Sequence, residues 1–477
     1  MAGWLTIQAN TVSSLQQQAK DMTRLQEQAS SGMRVIRASD APADAFRIMN
    51  LRSEVRSYEM FKENLSMVEF NMEQVSEVLQ AIVTSLSRVQ ELMTQSASGT
   101  YNEDNRRLAG LEIDAILESS ISMINAQAMG RNLFGGSQLD EDSYSVSRNS
   151  DGLITQVHYQ GSQARMRAGV SPGVEYPATV VGEEIFKSQH PGTANMVISN
   201  SGTRLGSGTP SARGDLWMTL HHETTTITAP GGLSLAMGNG SDSGDTIFGD
   251  HTITVANVGG KNVVQLDGGD QFAFDATSTN LRLVNEDGDI AYLDMSGWSG
   301  AYGSATVHST ASASIDGGQT KVLVDPANNN QAVIDSNGDT LFMDFTHTRR
   351  IAADPIRVEG TFDLFETLMQ VRDTLLNKGE VNHQDQSKIL GEQIESVKDL
   401  MVGLTQGLTS AGARIQALDG LGTSLETLKF NADTESSRIQ DADILEVATE
   451  LASTQTFYEM ILASSSRLLN LSLLDYI

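Results

Sequence analysis

The sequence predicts an α+β fold for this 477-residue chain: a long helical coiled-coil bundle formed by the N- and C-terminal segments, with β-rich domains inserted between them. Three observations predict it. Residues 1–130 hold five of the 42 glycines and residues 361–477 hold seven, whereas 131–360 hold thirty. Proline is missing between Pro42 and Pro172 and again after Pro355. Both residues interrupt helices, so their scarcity at the ends predicts long helices there and turns and strands in the middle. The third observation is periodicity. Tyr58, Phe61, Leu65, Val68, Met72, Val75, Leu79, Ile82, Leu86, Val89 and Met93 alternate steps of three and four, a heptad seam over five repeats.

Taken in order, Val12, Leu15, Ala19 and Met22 mark a first helix that stops at Ser31-Gly32. An extended link follows, and Ser39 or Asp40 is expected to cap the second helix, with Pro42 in its first turn. Ile48, Leu51 and Val55 extend the seam upstream, but two steps of three from 55 to 61 predict local overwinding. Strands are expected at 144–146, 153–159, 166–170 and 179–181, separated by Asp151-Gly152, Gly161 and Pro172-Gly173. Residues 187–355 are rich in Gly, Ser, Thr, Asn and Asp, with alternating runs at 251–255 and 281–284, and read as a separate inserted β domain. A second seam runs through Leu390, Ile394, Val397, Met401, Leu404, Leu408, Ala411, Ile415 and Leu418, meets Gly422 and resumes at Leu425. Ile444, Val447, Leu451, Tyr458, Ile461 and Leu468 mark a last helix.

The expected domains are terminal, assembly-dependent helices (1–40 with 435–477), a helical bundle (41–135 with 360–434), a small β domain (136–186) and a β-rich outer domain (187–359). Each seam is too long and narrow to bury itself alone. The seams therefore pack on each other or on other subunits.

Composition removes several function classes. With a net charge of −28 there is no basic surplus to neutralise a nucleic acid, and an anionic membrane face repels the chain. Zero cysteines exclude disulfides, thiol catalysis and thiolate metal sites. No apolar run approaches the roughly 18 residues of a membrane span, so neither nucleic acid nor membrane insertion is expected. The first basic residue is Lys20 and no apolar h-region precedes it, so no Sec-type signal is read. His222-Glu223-Thr224-Thr225-Thr226 begins like a zinc-protease helix, but Thr226 stands where the second ligand belongs. Gly259-Gly260-Lys261-Asn262 lacks the upstream glycine and the Ser/Thr of a phosphate loop. No catalytic residue and no cofactor are expected, and the chain reads as a non-enzyme.

One pattern recurs: Gly-Asp followed five residues later by Asp, at Asp245…Asp250, Asp270…Asp275, Asp289…Asp294 and Asp339…Asp344. Such carboxylates suit Ca²⁺, which takes six to eight oxygens. They equally suit hairpin turns leading into strands, with Asp serving the turn. The uneven spacing between copies argues against a stacked calcium-binding β-roll.

Leu25-Gln26-Glu27-Gln28-Ala29-Ser30-Ser31-Gly32-Met33-Arg34-Val35, followed by Ser39-Asp40-Ala41-Pro42, resembles the N-terminal signature of the flagellin superfamily. Gly412-Ala413-Arg414-Ile415, Asp441-Ala442-Asp443-Ile444 and Leu471-Ser472-Leu473-Leu474-Asp475-Tyr476-Ile477 resemble its C-terminal elements. Within the superfamily, Gly130-Arg131-Asn132-Leu133-Phe134-Gly135-Gly136 is similar to the Gly-x-Tyr-Leu-Phe-x-Gly of hook–filament junction proteins, with Asn132 replacing the aromatic. Tyr159-Gln160-Gly161 and the C-terminal ending point the same way. The resemblance covers 1–186 and 356–477 and leaves 187–355 unexplained.

The resemblance implies an axial structural subunit of the extracellular bacterial flagellum at the hook–filament junction, exported by the flagellar type III pathway without a cleaved signal. Its implied partners are a homo-oligomeric ring of its own copies, the adjacent hook-side junction protein, flagellin and an export chaperone. The assembly residues it singles out are Val12, Leu15, Met22, Arg34, Asp40, Arg414, Ile444, Leu451, Ile461 and Leu468. The terminal helices are expected to stay disordered before assembly, because ordering costs about 1–2 kcal/mol per residue. Two other readings stay open: a filament flagellin with an enlarged outer domain, and a calcium- or ligand-binding surface adhesin whose affinity resides in 187–355.

Overall fold

The chain is α+β in a computed structural model that describes residues 2–98, 101–138, 140–379 and 381–474, with all their side chains except those of 2–8, 242–243 and 467–474. The helices are α1 (Ala2–Ser31), α2 (Pro42–Ala97), α3 (Glu103–Ile124), α4 (Gly182–Phe186), α5 (Ser241–Gly244), α6 (Leu364–Leu375), α7 (His383–Gln440) and α8 (Ile444–Leu474). None of the described helices is long and apolar enough to cross a membrane. The chain forms two compact units. One comprises residues 1–69, 168–176 and 416–477, and the other 70–167 and 177–415.

In the first unit α1 packs along α8. The start of α2 runs antiparallel to the end of α7, joined by the ion pairs Lys62–Glu426 and Lys429–Glu59, with Leu65 seated against Gly422. Val35, Ile48 and Ile439 close a small core where the link between α1 and α2 meets α7.

In the second unit the seam of α2 from Met72 to Met93 is fully buried. Its counterpart on α7 buries Leu390, Val397, Leu404 and Ala411, while Ile394, Met401 and Leu408 are half-buried. Heptad spacing thus returns as core. Helix α3 packs on α6. Asn102 caps the first, accepting the Asn105 amide at 2.8 Å, and Asp363 caps the second through the amides of Phe365 and Glu366. Arg372 is buried between Asp114 at 2.9 Å and Asp373 at 2.7 Å.

Strands Tyr144–Arg148 and Ile154–Tyr159 pair antiparallel around a turn in which the Asn149 side chain accepts the amides of Asp151 and Leu153. The strand expected at 179–181 is not one. Gly173, at φ 72°, turns the chain so tightly that the return strand is Val174–Pro177, beside Arg167–Ser171. Of 179–181 only Val181 bridges, to Gly135.

Residues 193–359 build an eight-stranded sheet whose central members are Gly249–Val258, Gly303–Ser314, Gly214–Thr228 and Ala353–Glu359. His222-Glu223 lies on one of these strands, so the zinc-helix likeness has no helix to stand on. Two three-stranded sheets flank it, and they are copies of one design. In one, Gly206 donates to the Phe342 carbonyl and the Asn330 side chain accepts the Gly208 amide. In the other, Gly238 donates to the Tyr292 carbonyl and the Asn280 side chain accepts the Gly240 amide. Each copy has its own core, one around Met343 and Phe345 and one around Leu293 and Met295.

Candidate assembly interface

The link after α1 is tied to the link after α7. Arg34 donates its amide to the Gln440 carbonyl at 2.7 Å, and its guanidinium reaches both Asp44 and the Ile439 carbonyl at 2.8 Å. Met33 bridges Asp441, and Asp443 caps α8 by accepting the Leu445 amide at 2.9 Å. Asp40 differs from the expected cap. Its carboxylate accepts the Arg37 amide at 2.8 Å, turning back into the link, and α2 starts at Pro42 without it.

Helices α1 and α8 pack along each other. The covered stripe of α1 is Thr11, Leu15, Gln18, Met22 and Leu25, and that of α8 is Val447, Leu451, Thr454, Tyr458 and Ile461. Leu15, Met22, Leu451 and Ile461 therefore face the partner helix of the same chain. Val12 and Ile444 stay about half exposed, as do Phe457 and Met460, and Leu445 is 78% exposed. The side chain of Leu468 lies outside those described. Arg414 lies apart, on α7 in the second unit, lining a shallow groove with Gly403, Gly407 and Ala411.

The stretch 130–136 forms a knot rather than a helix end. Met129 and Gly130 both take positive φ, making a tight turn between the short paired strands Gln127–Ala128 and Arg131–Asn132. Phe134 is fully buried, its ring 5.1 Å from that of Phe186. The Phe134 carbonyl accepts both the Gly182 amide at 2.9 Å and the Tyr159 hydroxyl at 3.0 Å. Gly136 has φ 64°, and a Cβ there would lie 2.1 Å from the Ser162 carbonyl oxygen. The motif requires Phe for volume and Gly for close approach.

The recurring aspartates occupy turns and polar contacts. Asp275, Asp294 and Asp344 each accept from the hydroxyl and then the amide of the residue two on (Thr277, Ser296 and Thr346), which holds their carboxyls below the usual range. Asp245 accepts from Thr225, Ser241 and the Tyr292 amide. Asp289 pairs with Arg350 at 2.9 Å, Asp339 with Lys187, and Asp250 with His308, while Asp270 sits exposed just after a turn. Among the described residues no three His, Asp or Glu converge as metal ligands.

Sequence reasoning missed a cluster of rings and acids in the second unit. Tyr144, Tyr159, Phe186 and Phe365 pack on one another at tilted angles and line one cavity with Glu366 and Asp335, brought together from segments far apart in the chain. Burial pushes Glu366 up to about 8 and Asp335 to about 6. A carboxyl raised in the fold is favourable while protonated, and that benefit is lost as pH rises from its unfolded value toward 8. Glu366→Gln should therefore leave the melting temperature unchanged at about pH 4 and raise it at about pH 9. Melts at the two pH values check this, and an equal gain at both would refute it.

Residues 4–138 match the family model of the bacterial flagellin N-terminal helical region. A curated relative, the flagellar filament 31.3 kDa core protein of Treponema maltophilum, is 31% identical over 121 residues, which is 25% of this chain and 41% of the relative. The chain thus spans about two fifths of the length of that relative. Among solved structures, FlgL of Xanthomonas campestris is 16% identical with a TM-score of 0.41, covering 80% of this chain and 98% of its own. The flagellar hook associated protein-3 of Legionella pneumophila is 15% identical with a TM-score of 0.43, covering 82% and 98%. The similarity to bacterial flagellins thus lies in helices α1 to α3 and the turn that follows them.

Proposed function

We propose that the chain is a structural subunit of the bacterial flagellum, located extracellularly at the hook–filament junction. The observation that carries the reading is the apolar surface left on α8, where Leu445, Phe457 and Met460 face away from α1. Large apolar side chains left exposed along one helix suit a surface that another subunit covers. The partners are further copies in a ring, the hook-side junction protein, flagellin and, before export, a chaperone. The role is mechanical rather than catalytic. The knot at 130–136 supports the junction over the filament, because its sequence is the one junction proteins resemble.

The Treponema relative, a filament core protein by name, favours a second reading as filament flagellin. Immuno-electron microscopy separates the two: discrete label at the distal end of the hook is expected, and label along the filament would establish the second. Deleting the gene should leave finished hooks and release flagellin into the medium. Normal-length filaments on the deletion strain would overturn the junction role.

A further inference from the structure

A cavity of about 350 Å³ lies in the second unit between α4, the first turn of α6 and the turns near 316 and 335–339. Its volume is in the range of small-molecule sites. Aromatic side chains contribute to its lining, with the Tyr144 ring 4.7 Å from Phe365 and 5.1 Å from Tyr159. Asp335, Asp363 and Glu366 share the wall, and their hydrogen bonds come from neutral donors: backbone amides for the two aspartates and Gln370 for Glu366. The two cations present are already engaged. Lys187 pairs with Asp339, and Arg213 is turned onto the carbonyls of Ser188, Pro210, Ser211 and Ala212. In the same wall Gln156 is 4% exposed; its Nε2 donates to Ser336, and its Oε1 has no partner.

Surplus carboxylates, aromatic rings and an orphaned acceptor all favour N–H groups carrying positive charge. A metal ion is the poorer fit, because no three carboxylates converge among the described residues. Charge distributed along a wall suits a ligand whose own charges are separated. We propose that this cavity binds a linear diammonium or polyamine cation, with its ammonium ends at Glu366 and Asp335 and its methylene stem against Tyr144 and Phe365.

Calorimetric titration of the full chain with putrescine in physiological salt should give one saturable site. Asp335→Asn combined with Glu366→Gln keeps the shape and removes the two carboxyls that would hold the ammonium ends, and should weaken binding about ten- to a hundredfold. Asp270→Asn with Glu286→Gln, both exposed and outside the cavity, should bind as the unmodified chain does. The cavity double variant replaces two carboxyls that burial disfavours in their ionised form, so its melting temperature should not fall, which separates lost binding from lost folding. Independently of any variant, putrescine should raise the melting temperature of the unmodified chain more than propylamine does. Absence of a saturable site, equal binding by the cavity double variant, or full displacement by equimolar calcium would overturn the assignment.

Discussion

Phe457→Asp and Leu445→Asp are expected to abolish incorporation into flagella while leaving the isolated subunit's melting temperature nearly unchanged. Both side chains are solvent-exposed in the single chain, at 53% and 78%, so the new carboxylate stays hydrated and stability shifts by no more than about 0.5 kcal/mol. When a neighbour covers the same surface, an unpaired buried charge costs roughly 3–5 kcal/mol at every contact. Ile461→Asp is the informative contrast. That residue is half-buried against α1, so its substitution should lower the melting temperature as well as assembly. Secreted protein is measured beside incorporated protein, because an export defect mimics an assembly defect. Secreted Phe457→Asp subunits that incorporate normally would show that this face is not an interface.

Phe134→Ala should be strongly destabilising, because Phe134 is among the largest fully buried side chains of the second unit. The ring is fully buried against Phe186 and its loss leaves a cavity, at a cost of about 3–5 kcal/mol. Urea unfolding followed by circular dichroism measures it as a lowered midpoint. Phe134→Leu, which keeps most of the volume, should recover the greater part. Gly136→Ala tests the backbone half of the same knot, where the added methyl meets the Ser162 carbonyl at 2.1 Å. A loss below about 1 kcal/mol in Phe134→Ala would mean that the surroundings collapse into the space, and the knot would not be the anchor described above.

The seams were legible because heptad spacing reports burial directly: Val75, Leu79, Ile82 and Leu86 all return as core. The face of α1 was harder to read. Leu15 and Met22 lie on the stripe facing α8, but Gln18 and Thr11 complete it, and these polar residues hid its phase and made Val12 look interior. Asp40 failed as a cap because a nearer amide, that of Arg37, competes for its carboxylate. The recurring Gly-Asp pattern was visible without its meaning. Two of its four copies, at Asp289 and Asp339, are equivalent positions in the duplicated sheets, where Asn285 and Asp335 each donate their amide to the carbonyl of the residue four on. The duplication itself is nearly erased in sequence, since strands need only apolar alternation while the turns keep specific side chains. The ring-and-acid cavity was invisible for a different reason. Its walls come from residues near 144, 186, 335 and 365, and no local pattern links them.

Lys187 bridges Asp363, and the Ser188 amide donates to the Phe362 carbonyl at 2.8 Å. The chain therefore leaves for its long β excursion and returns from it through the same doorway. To the helices on either side, everything between those two residues is a closed loop whose ends are already held together. The closure entropy of a loop grows only with the logarithm of its length, so doubling the excursion costs roughly 0.6 kcal/mol more. A lineage can lengthen, duplicate or trim what hangs from that doorway at little cost to the helices that carry it.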